Sequence, residues 1–99
     1  MKLIINQENE QAINIASAKE GQDQFHYGVA NKLVCSLPES NLTEEAMAYL
    51  RRFLTIDIDI IEIKTDQNQL IYSTNKYKRY GGITKNINEL YIETSISFE

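Results

Sequence analysis

Residues 56–64 read IDIDIIEIK, which is the clearest strand signal in the chain. Side chains of a strand alternate between the two faces of its sheet, so Ile56, Ile58 and Ile60 share one face. The isoleucines then move to the opposite face at Ile61, which indicates a shift of one residue. A β-bulge between Ile60 and Ile61 would return all of them to one face. We predict this bulge rather than a strand covered on both sides, because the acidic residues of the stretch need water.

A helix of about three turns is predicted directly before this stretch. Thr43 is suited to its N-cap, where a hydroxyl oxygen accepts a hydrogen bond from the first turn. Acidic residues follow Thr43 and arginines come at the end, which is the order of charges that the helix dipole favours. A stripe of apolar side chains predicts that the helix covers one face of a sheet. The stripe consists of Met47, Leu50 and Leu54.

Alternating apolar and polar residues predict further strands on both sides of the helix. Gly21 and Asp23 predict a turn over residues 19–24, and residues 75–88 are the least regular part of the chain. A hairpin turn without glycine is expected at residues 65–69. The predicted strands are residues 2–5, 12–18 and 25–37 before the helix, and residues 70–74 and 90–98 after residues 56–64.

This order of elements predicts a single α+β domain over residues 1–99. The economical arrangement is one mixed or antiparallel sheet of five to six strands with one helix packed on it, in the order βββαβββ. The order also resembles that of an OB-like barrel, which closes five strands with a helix between the third and the fourth. We keep that barrel as the alternative, although a sixth strand has no place in its simple form.

The composition is that of an ordinary globular domain, with 42% hydrophobic and 24% charged residues. No run is apolar enough to span a membrane, and the first residues lack the apolar run of a secretion signal. A single cysteine fits a reducing compartment, so we predict a cytoplasmic protein. The net charge of −4 argues against binding duplex nucleic acid through bulk charge.

Cys35 and His26 belong to the residue types most used in catalysis and metal binding, and neither has the partners that such chemistry needs. Cys35 alternates with Leu33 and Leu37, which predicts a buried core residue. His26 falls on the opposite face without ligands at metal-binding spacing, so we predict a surface residue. The sequence contains no nucleophile with a base, no glycine-rich phosphate loop and no metal cluster. We therefore expect no catalytic site, cofactor or bound metal.

Asp59 together with Glu62-Ile63-Lys64 resembles the acid and the Glu-x-Lys pair of metal-dependent nucleases of the restriction-enzyme type. In that family these groups hold Mg²⁺ and a water molecule for attack on a phosphodiester. The resemblance implies a divergent nuclease as one alternative, with the side chains of Asp59, Glu62 and Lys64 converging in a cleft. In the family, however, the lone aspartate lies on the preceding strand. The other interpretation is a solvated strand face whose charges prevent edge pairing.

Basic residues and tyrosines alternate just before Gly81-Gly82, a pattern typical of proteins that hold a phosphate backbone and stack bases. The pattern favours, as an alternative function, single-stranded nucleic-acid binding by an OB-like domain. The opposing interpretation is a solvated hairpin arm whose tyrosines pack partly on the sheet. The candidate residues are Tyr72, Lys76, Tyr77, Lys78, Arg79 and Tyr80.

Binding to another protein, or to itself, is the function that we predict first, because small domains without catalytic sets more often act by binding. Tyr49 and Arg52 are candidates for an interface on the outer face of the helix, since Tyr and Arg are enriched at binding hot spots. The last strand, residues 90–98, carries few charges and is predicted to lie inside a sheet or to form a homodimer. The size and composition would suit an accessory or inhibitor protein of a phage or other mobile element.

Overall fold

The computed structural model describes residues 1–39, 42–77, 82–94 and 97–98. Within these residues the chain forms nine β-strands and one α-helix, α1 (Glu44–Arg51), which continues as a 3₁₀ turn at Arg52–Leu54. A second 3₁₀ turn lies at Asn9–Gln11. The strands are β1 (Lys2–Ile5), β2 (Ile13–Asn14), β3 (Ser17–Phe25), β4 (Gly28–Ser36), β5 (Ile61–Lys64), β6 (Leu70–Thr74), β7 (Gly82–Asn86), β8 (Glu89–Glu93) and β9 (Ser97–Phe98).

The strands form two separate antiparallel sheets. The first sheet has the order β2-β1-β5-β6; the second has the order β3-β4-β8-β7, and the short β9 pairs with the start of β4. The prediction of a single sheet of five to six strands is therefore wrong, and so is the single barrel. The chain changes sheet abruptly: the N–H of Ile15 donates to the carbonyl of Met1, and the next N–H, of Ala16, donates to that of Ser36. The pattern within a segment does not encode such a change of partner.

One hydrophobic core joins the two sheets and the helix. Inward side chains alternate along the strands, as the period of a half-buried strand requires. Their removal from water, at about 25 cal/mol per Å² of apolar surface, supplies the main driving force for the fold. The first sheet contributes Leu3, Ile5, Ile13, Ile61 and Ile63, and the second contributes Leu33, Cys35, Leu90 and Ile92.

Strands occupy two regions for which a turn or irregular structure was predicted. β3 replaces the turn expected around Gly21 and Asp23, and β7 occupies part of the region expected to be irregular. Both are edge strands of the second sheet, and a strand there needs few apolar side chains. β3 pairs with β4 without interruption, and the chain reverses only at His26 and Tyr27.

Several local predictions are confirmed. β1 and β6 have the predicted bounds. The glycine-free turn between β5 and β6 closes because Asn68 adopts a left-handed backbone conformation, with a φ of 65°. The hydroxyl oxygen of Thr43 accepts a hydrogen bond of 3.1 Å from the N–H of Ala46, so Thr43 is the N-cap of α1.

The stretch IDIDIIEIK is a strand only in its second half, β5. Before β5, residues 57–60 run beside Asn6, whose side chain hydrogen-bonds to their main chain. The bulge predicted between Ile60 and Ile61 is absent. The register of this hairpin shifts instead on the facing strand, where Ile71 has no opposite residue between the Ile63–Tyr72 and Lys64–Leu70 pairs.

The helix packs across both sheets. The hydroxyl of Tyr49 lies 3.2 Å from the carbonyl oxygen of Ile5 in β1, while Met47 and Leu50 line a small groove with Leu90 of β8. Tyr49 is only 4% exposed, so the prediction that it lies on the outer helix face is wrong. No helix in the described part of the chain is both long and apolar enough to cross a membrane.

The last predicted strand is represented by β8 and β9. β8 lies between β4 and β7 and is hydrogen-bonded on both sides, as one of the two predicted arrangements requires. A second copy therefore finds no free edge along β8. Residues 95–96 of the predicted strand lie outside the described residues.

Candidate functional site

An open cleft of about 260 Å³ lies between β3 of the second sheet and β6 of the first. Side chains from both sheets line it, and most of them are apolar. We call it the β3–β6 cleft. Its lining residues are Met1, Ala18, Glu20, Leu33, Ile63, Ile71 and Tyr72.

β6 forms one wall of the cleft and is an edge strand of the first sheet. Its five residues, LIYST, include no charged side chain. Leu70 and Ile71 are 50% and 52% exposed, which places two large apolar side chains next to each other on this edge. Edge strands of natural proteins are usually protected by charges, prolines or bulges against pairing with another chain. At β6 only the irregular register at Ile71 interrupts the ladder.

β3 forms the opposite wall and, among the strands of the described residues, is an edge strand along its nine residues. The N–H and C=O of Asn31 both bond to Thr94, on the side of β4 that faces away from β3. Gln22 faces Asn31 across the β3–β4 pair, so the main-chain groups of Gln22 also point away from β4. By the alternation of an antiparallel ladder, the N–H and C=O groups of Ala18, Glu20, Gln22 and Gln24 point to the open edge.

Glu20 connects the two walls. Its carboxylate accepts a hydrogen bond from the hydroxyl of Tyr72 on β6, and the Lys76 ammonium lies 3.6 Å from the same oxygen. The hydrogen bond from Tyr72 is the main cause that lowers the pKa of Glu20, and the charge of Lys76 adds to it. Burial, and after it the same hydrogen bond, raises the pKa of Tyr72. The carboxylate is thus a polar clasp between the sheets at the cleft.

Beyond Glu20 lies a second, more polar cavity of about 290 Å³, which Gln22, Asn31 and Tyr77 also line. Tyr77 is 1% exposed, and burial raises the pKa of its hydroxyl to about 12. A ring buried in this way offers no face on which a base could stack. Tyr77 therefore serves the core, where it covers the inner side of the second sheet.

The helix candidates form a structural cluster. The hydroxyl of Tyr49 donates a hydrogen bond of 2.6 Å to Glu8, and Arg52 lies 3.8 Å from the same carboxylate. The Arg52 guanidinium stacks over the Tyr49 ring at 5.6 Å from its centroid, and Phe53 meets the ring edge-on. These contacts tie α1 to the turn after β1. Arg52 keeps half of its side chain exposed, whereas Tyr49 has no surface left for a partner.

The remaining candidates are distributed as follows. Lys78, Arg79 and Tyr80 lie outside the described residues. Asp59 is exposed before β5, and Lys64 donates to Asn9 at 3.3 Å. Over residues 1–39, 42–77, 82–94 and 97–98, no group of three or more His, Cys, Asp or Glu side chains has the arrangement of a metal site. The acids of the nuclease interpretation are therefore not gathered into a ligand cluster.

Sequence reasoning did not single out the apolar residues of the cleft. Leu70 and Ile71 were assigned to a strand, but their exposure depends on β6 being at the edge of its sheet. The predicted strand 12–18 joins Ala18 to Ile13 and Ile15. In the structure these isoleucines pack in the core before the chain changes sheet, and Ala18 lies after the change, in β3. The absence of charge in LIYST was the one available signal, since a strand without charges is either buried or in need of a partner.

Comparison with known proteins does not change this description. The chain matches no protein family model, no curated protein sequence and no solved structure. What the site does must therefore be argued from its own geometry: two edge strands, an apolar cleft between them, and the Glu20 carboxylate in its lining.

Proposed function

We propose that this protein binds another polypeptide chain at the β3–β6 cleft. One observation carries the proposal: β6 is an uncharged edge strand with Leu70 and Ile71 exposed, and Ile71 lines an apolar cleft. An extended segment of a partner can pair with the main chain of an edge strand, and alternate side chains of that segment then enter neighbouring pockets. Hydrogen bonds along the edge supply affinity, and the apolar cleft supplies selectivity.

The other edges support this choice by contrast. β7 carries Lys85, and β3 carries Lys19, Glu20 and Asp23, so both present charges to a strand of arbitrary sequence. β2 has only two residues and offers little to pair with. β6 therefore lacks the charges that protect the edge strands β3 and β7. A role as an accessory or inhibitor protein of a mobile element would be one use of such an edge.

The proposal is tested by affinity purification of the protein from its native cell, with and without nuclease treatment. We compare the unaltered chain with Ile71→Lys, which places a charge at the mouth of the cleft. Ile56→Lys is the matched control, because Ile56 is 44% exposed and lies outside the cleft lining. Circular dichroism and thermal unfolding check that each variant folds.

We expect a protein that co-purifies in the presence of nuclease, that is lost with Ile71→Lys and that is retained with Ile56→Lys. A partner that binds both variants equally would place the interface elsewhere and overturn the proposal. Association that disappears on nuclease treatment would instead support nucleic-acid binding through the basic residues after β6.

A further inference from the structure

We infer that the chain which binds at the cleft is a second copy of this protein, whose β3 pairs antiparallel with the β3 wall of the cleft about a two-fold axis at Gly21. The charges of β3 oppose a strand of arbitrary sequence, but they complement those of a second β3. The inference rests on the proposed function, since it names the partner of the same site. Three independent features of β3 favour self-pairing: its charges, the direction of its main-chain groups, and the glycine at its centre.

The charges of β3 are complementary to themselves in this register. Pairing about Gly21 places Lys19 of one copy opposite Asp23 of the other, twice by symmetry, and places Glu20 opposite Gln22. Opposite charges that face each other across strands stabilise the pair, and like charges destabilise it. A two-fold axis at Lys19, Glu20 or Asp23 would set that residue against itself. The register at Gly21 avoids all three repulsions and gains two attractions.

The main chain is already directed for this pairing. Ala18, Glu20, Gln22 and Gln24 point their N–H and C=O groups to the open edge, as the bonds of Asn31 to Thr94 establish. In the proposed register Glu20 faces Gln22 and Ala18 faces Gln24. Residues whose main-chain groups point to the open edge are therefore always opposite each other. Each such pair exchanges two hydrogen bonds. A register displaced by one residue would set outward groups against groups already bonded to β4.

Gly21, at the centre of β3, leaves room for the side chain of Lys32. The stem of Lys32 crosses directly over it, and a Cβ atom at Gly21 would lie 3.3 Å from the Lys32 Cε. The Lys32 ammonium thereby reaches Asp23, at 2.8 Å. In the dimer Asp23 then lies between two cations, Lys32 of its own chain and Lys19 of the second copy.

The same symmetry covers the exposed apolar residues. A two-fold axis perpendicular to the sheet keeps the inner faces of both copies on one side of the joined sheet. Because Tyr72 of β6 bonds to Glu20 of β3, the β6 edge lies above the seam. The two β6 edges, with Leu70 and Ile71, therefore approach each other over the paired β3 strands. Burial of these side chains adds the apolar contribution that a ladder of hydrogen bonds lacks.

Sedimentation equilibrium over a wide range of concentration tests the inference on the purified chain. Lys19→Glu places like charges opposite each other at Asp23 of the second copy and is expected to raise the dissociation constant of the dimer at least about tenfold. Lys85→Glu makes the same change of net charge on the other edge strand and leaves the constant unchanged. Gln22→Pro removes an outward N–H, which an edge strand tolerates, and is expected to give a folded monomer.

A purified chain that stays monomeric at every concentration overturns the inference. If a different protein is then captured through Ile71, the proposed function stands without it; if nothing is captured, both fail. A dimer that Lys19→Glu and Lys85→Glu weaken equally would also overturn the inference, because its seam would not lie at β3.

Discussion

Asn6 and Ile60 hydrogen-bond to each other in both directions. The N–H of Asn6 donates to the carbonyl of Ile60 at 2.8 Å, and the side-chain oxygen of Asn6 accepts from the N–H of Ile60 at 3.2 Å. The same oxygen accepts from Asp59 at 2.6 Å, while the amide nitrogen donates to the carbonyl of Asp57 at 3.0 Å. Asn6 has a φ of 53°, a conformation that asparagine tolerates. One side chain thus directs residues 57–60 into β5.

Replacing Asn6 with alanine is expected to destabilise the fold by about 2–3 kcal/mol, because several main-chain groups lose their partners at a left-handed position. Asn6→Asp keeps the accepting oxygen and should cost about 1 kcal/mol. Urea unfolding measures both. Asn14→Ala, at an exposed position of β2, is the control and should change stability by less than about 0.5 kcal/mol. Equal stability of Asn6→Ala and this control would contradict the assignment.

Tyr49→Phe is expected to lower the free energy of unfolding by about 1–2 kcal/mol, since it removes a hydrogen bond from a buried hydroxyl to a carboxylate. Tyr91→Phe is the matched control, because its hydroxyl donates to Glu89, two residues away on the same strand, and links no other element. That variant should stay within about 0.5 kcal/mol of the unaltered chain. A larger effect at Tyr91 than at Tyr49 would show that the Glu8–Tyr49 contact does not anchor the helix.

Ile87→Gly is expected to stabilise the protein. Ile87 lies in the turn between β7 and β8 with a φ of 52°, is 73% exposed, and is β-branched, which makes this backbone conformation costly. Relief of that strain should exceed the entropy that glycine adds to the unfolded chain, with a net gain of about 0.5–1 kcal/mol. Thermal unfolding reports the gain, and Ile56→Gly, at an exposed residue outside the positive-φ positions, should give a loss instead.

Acid should weaken the clasp at Glu20. Its pKa is lowered below the ordinary value of 4.5 in the folded chain, chiefly by the hydrogen bond from Tyr72. The stabilisation is therefore complete above about pH 4.5 and is lost as the pH falls through the lowered pKa. We expect the stability difference between the unaltered chain and Glu20→Gln to be constant at neutral pH and to shrink below pH 4.5. An unchanged difference down to pH 3 would contradict the assignment, and Glu10→Gln serves as an exposed control.

Alkali should destabilise the protein through Cys35, which is fully buried and whose pKa burial raises from 9.0 to about 12. The unfolded thiol ionises near 9 while the folded thiol stays protonated, so stability is complete below pH 9 and falls above it. The slope should approach about 1.4 kcal/mol per pH unit until the tyrosines of the unfolded chain add to it near pH 10. Cys35→Ala should flatten the curve between pH 9 and 10. A thiol reagent that modifies Cys35 in the folded chain at pH 8 would contradict the assigned burial.

Sequence reasoning succeeded where neighbours along the chain decide the structure. The Thr43 cap depends on the N–H three residues later, and the turn at Asn68 depends on the residues between Thr65 and Gln69. β1 and β6 follow from their own patterns of burial and pairing. Such elements are predictable because the stabilising partner lies within a few positions.

Sequence reasoning failed where a residue distant in the chain determines the local structure. Tyr49 is buried because Glu8 and the carbonyl of Ile5 provide partners for its hydroxyl. The pattern of one helix does not reveal these partners. β3 has an edge position that tolerates Gly21 and Asp23, although both residue types favour turns. The cleft exists only because β3 and β6 belong to different sheets. Its residues could not be assembled before the pairing was known.

The two sheets are interleaved along the chain, and this has a consequence for synthesis on the ribosome. β1 pairs with β5, and β4 pairs with β8, so each sheet joins an early segment to a late one. Translation delivers about 5–20 residues per second, which leaves the first strands waiting for seconds before their partners emerge. The β3–β4 hairpin can form at once from local pairing, but with both of its edges open. During that interval, the nearest strand that could pair with this hairpin would belong to a nascent chain on a neighbouring ribosome of the same messenger RNA.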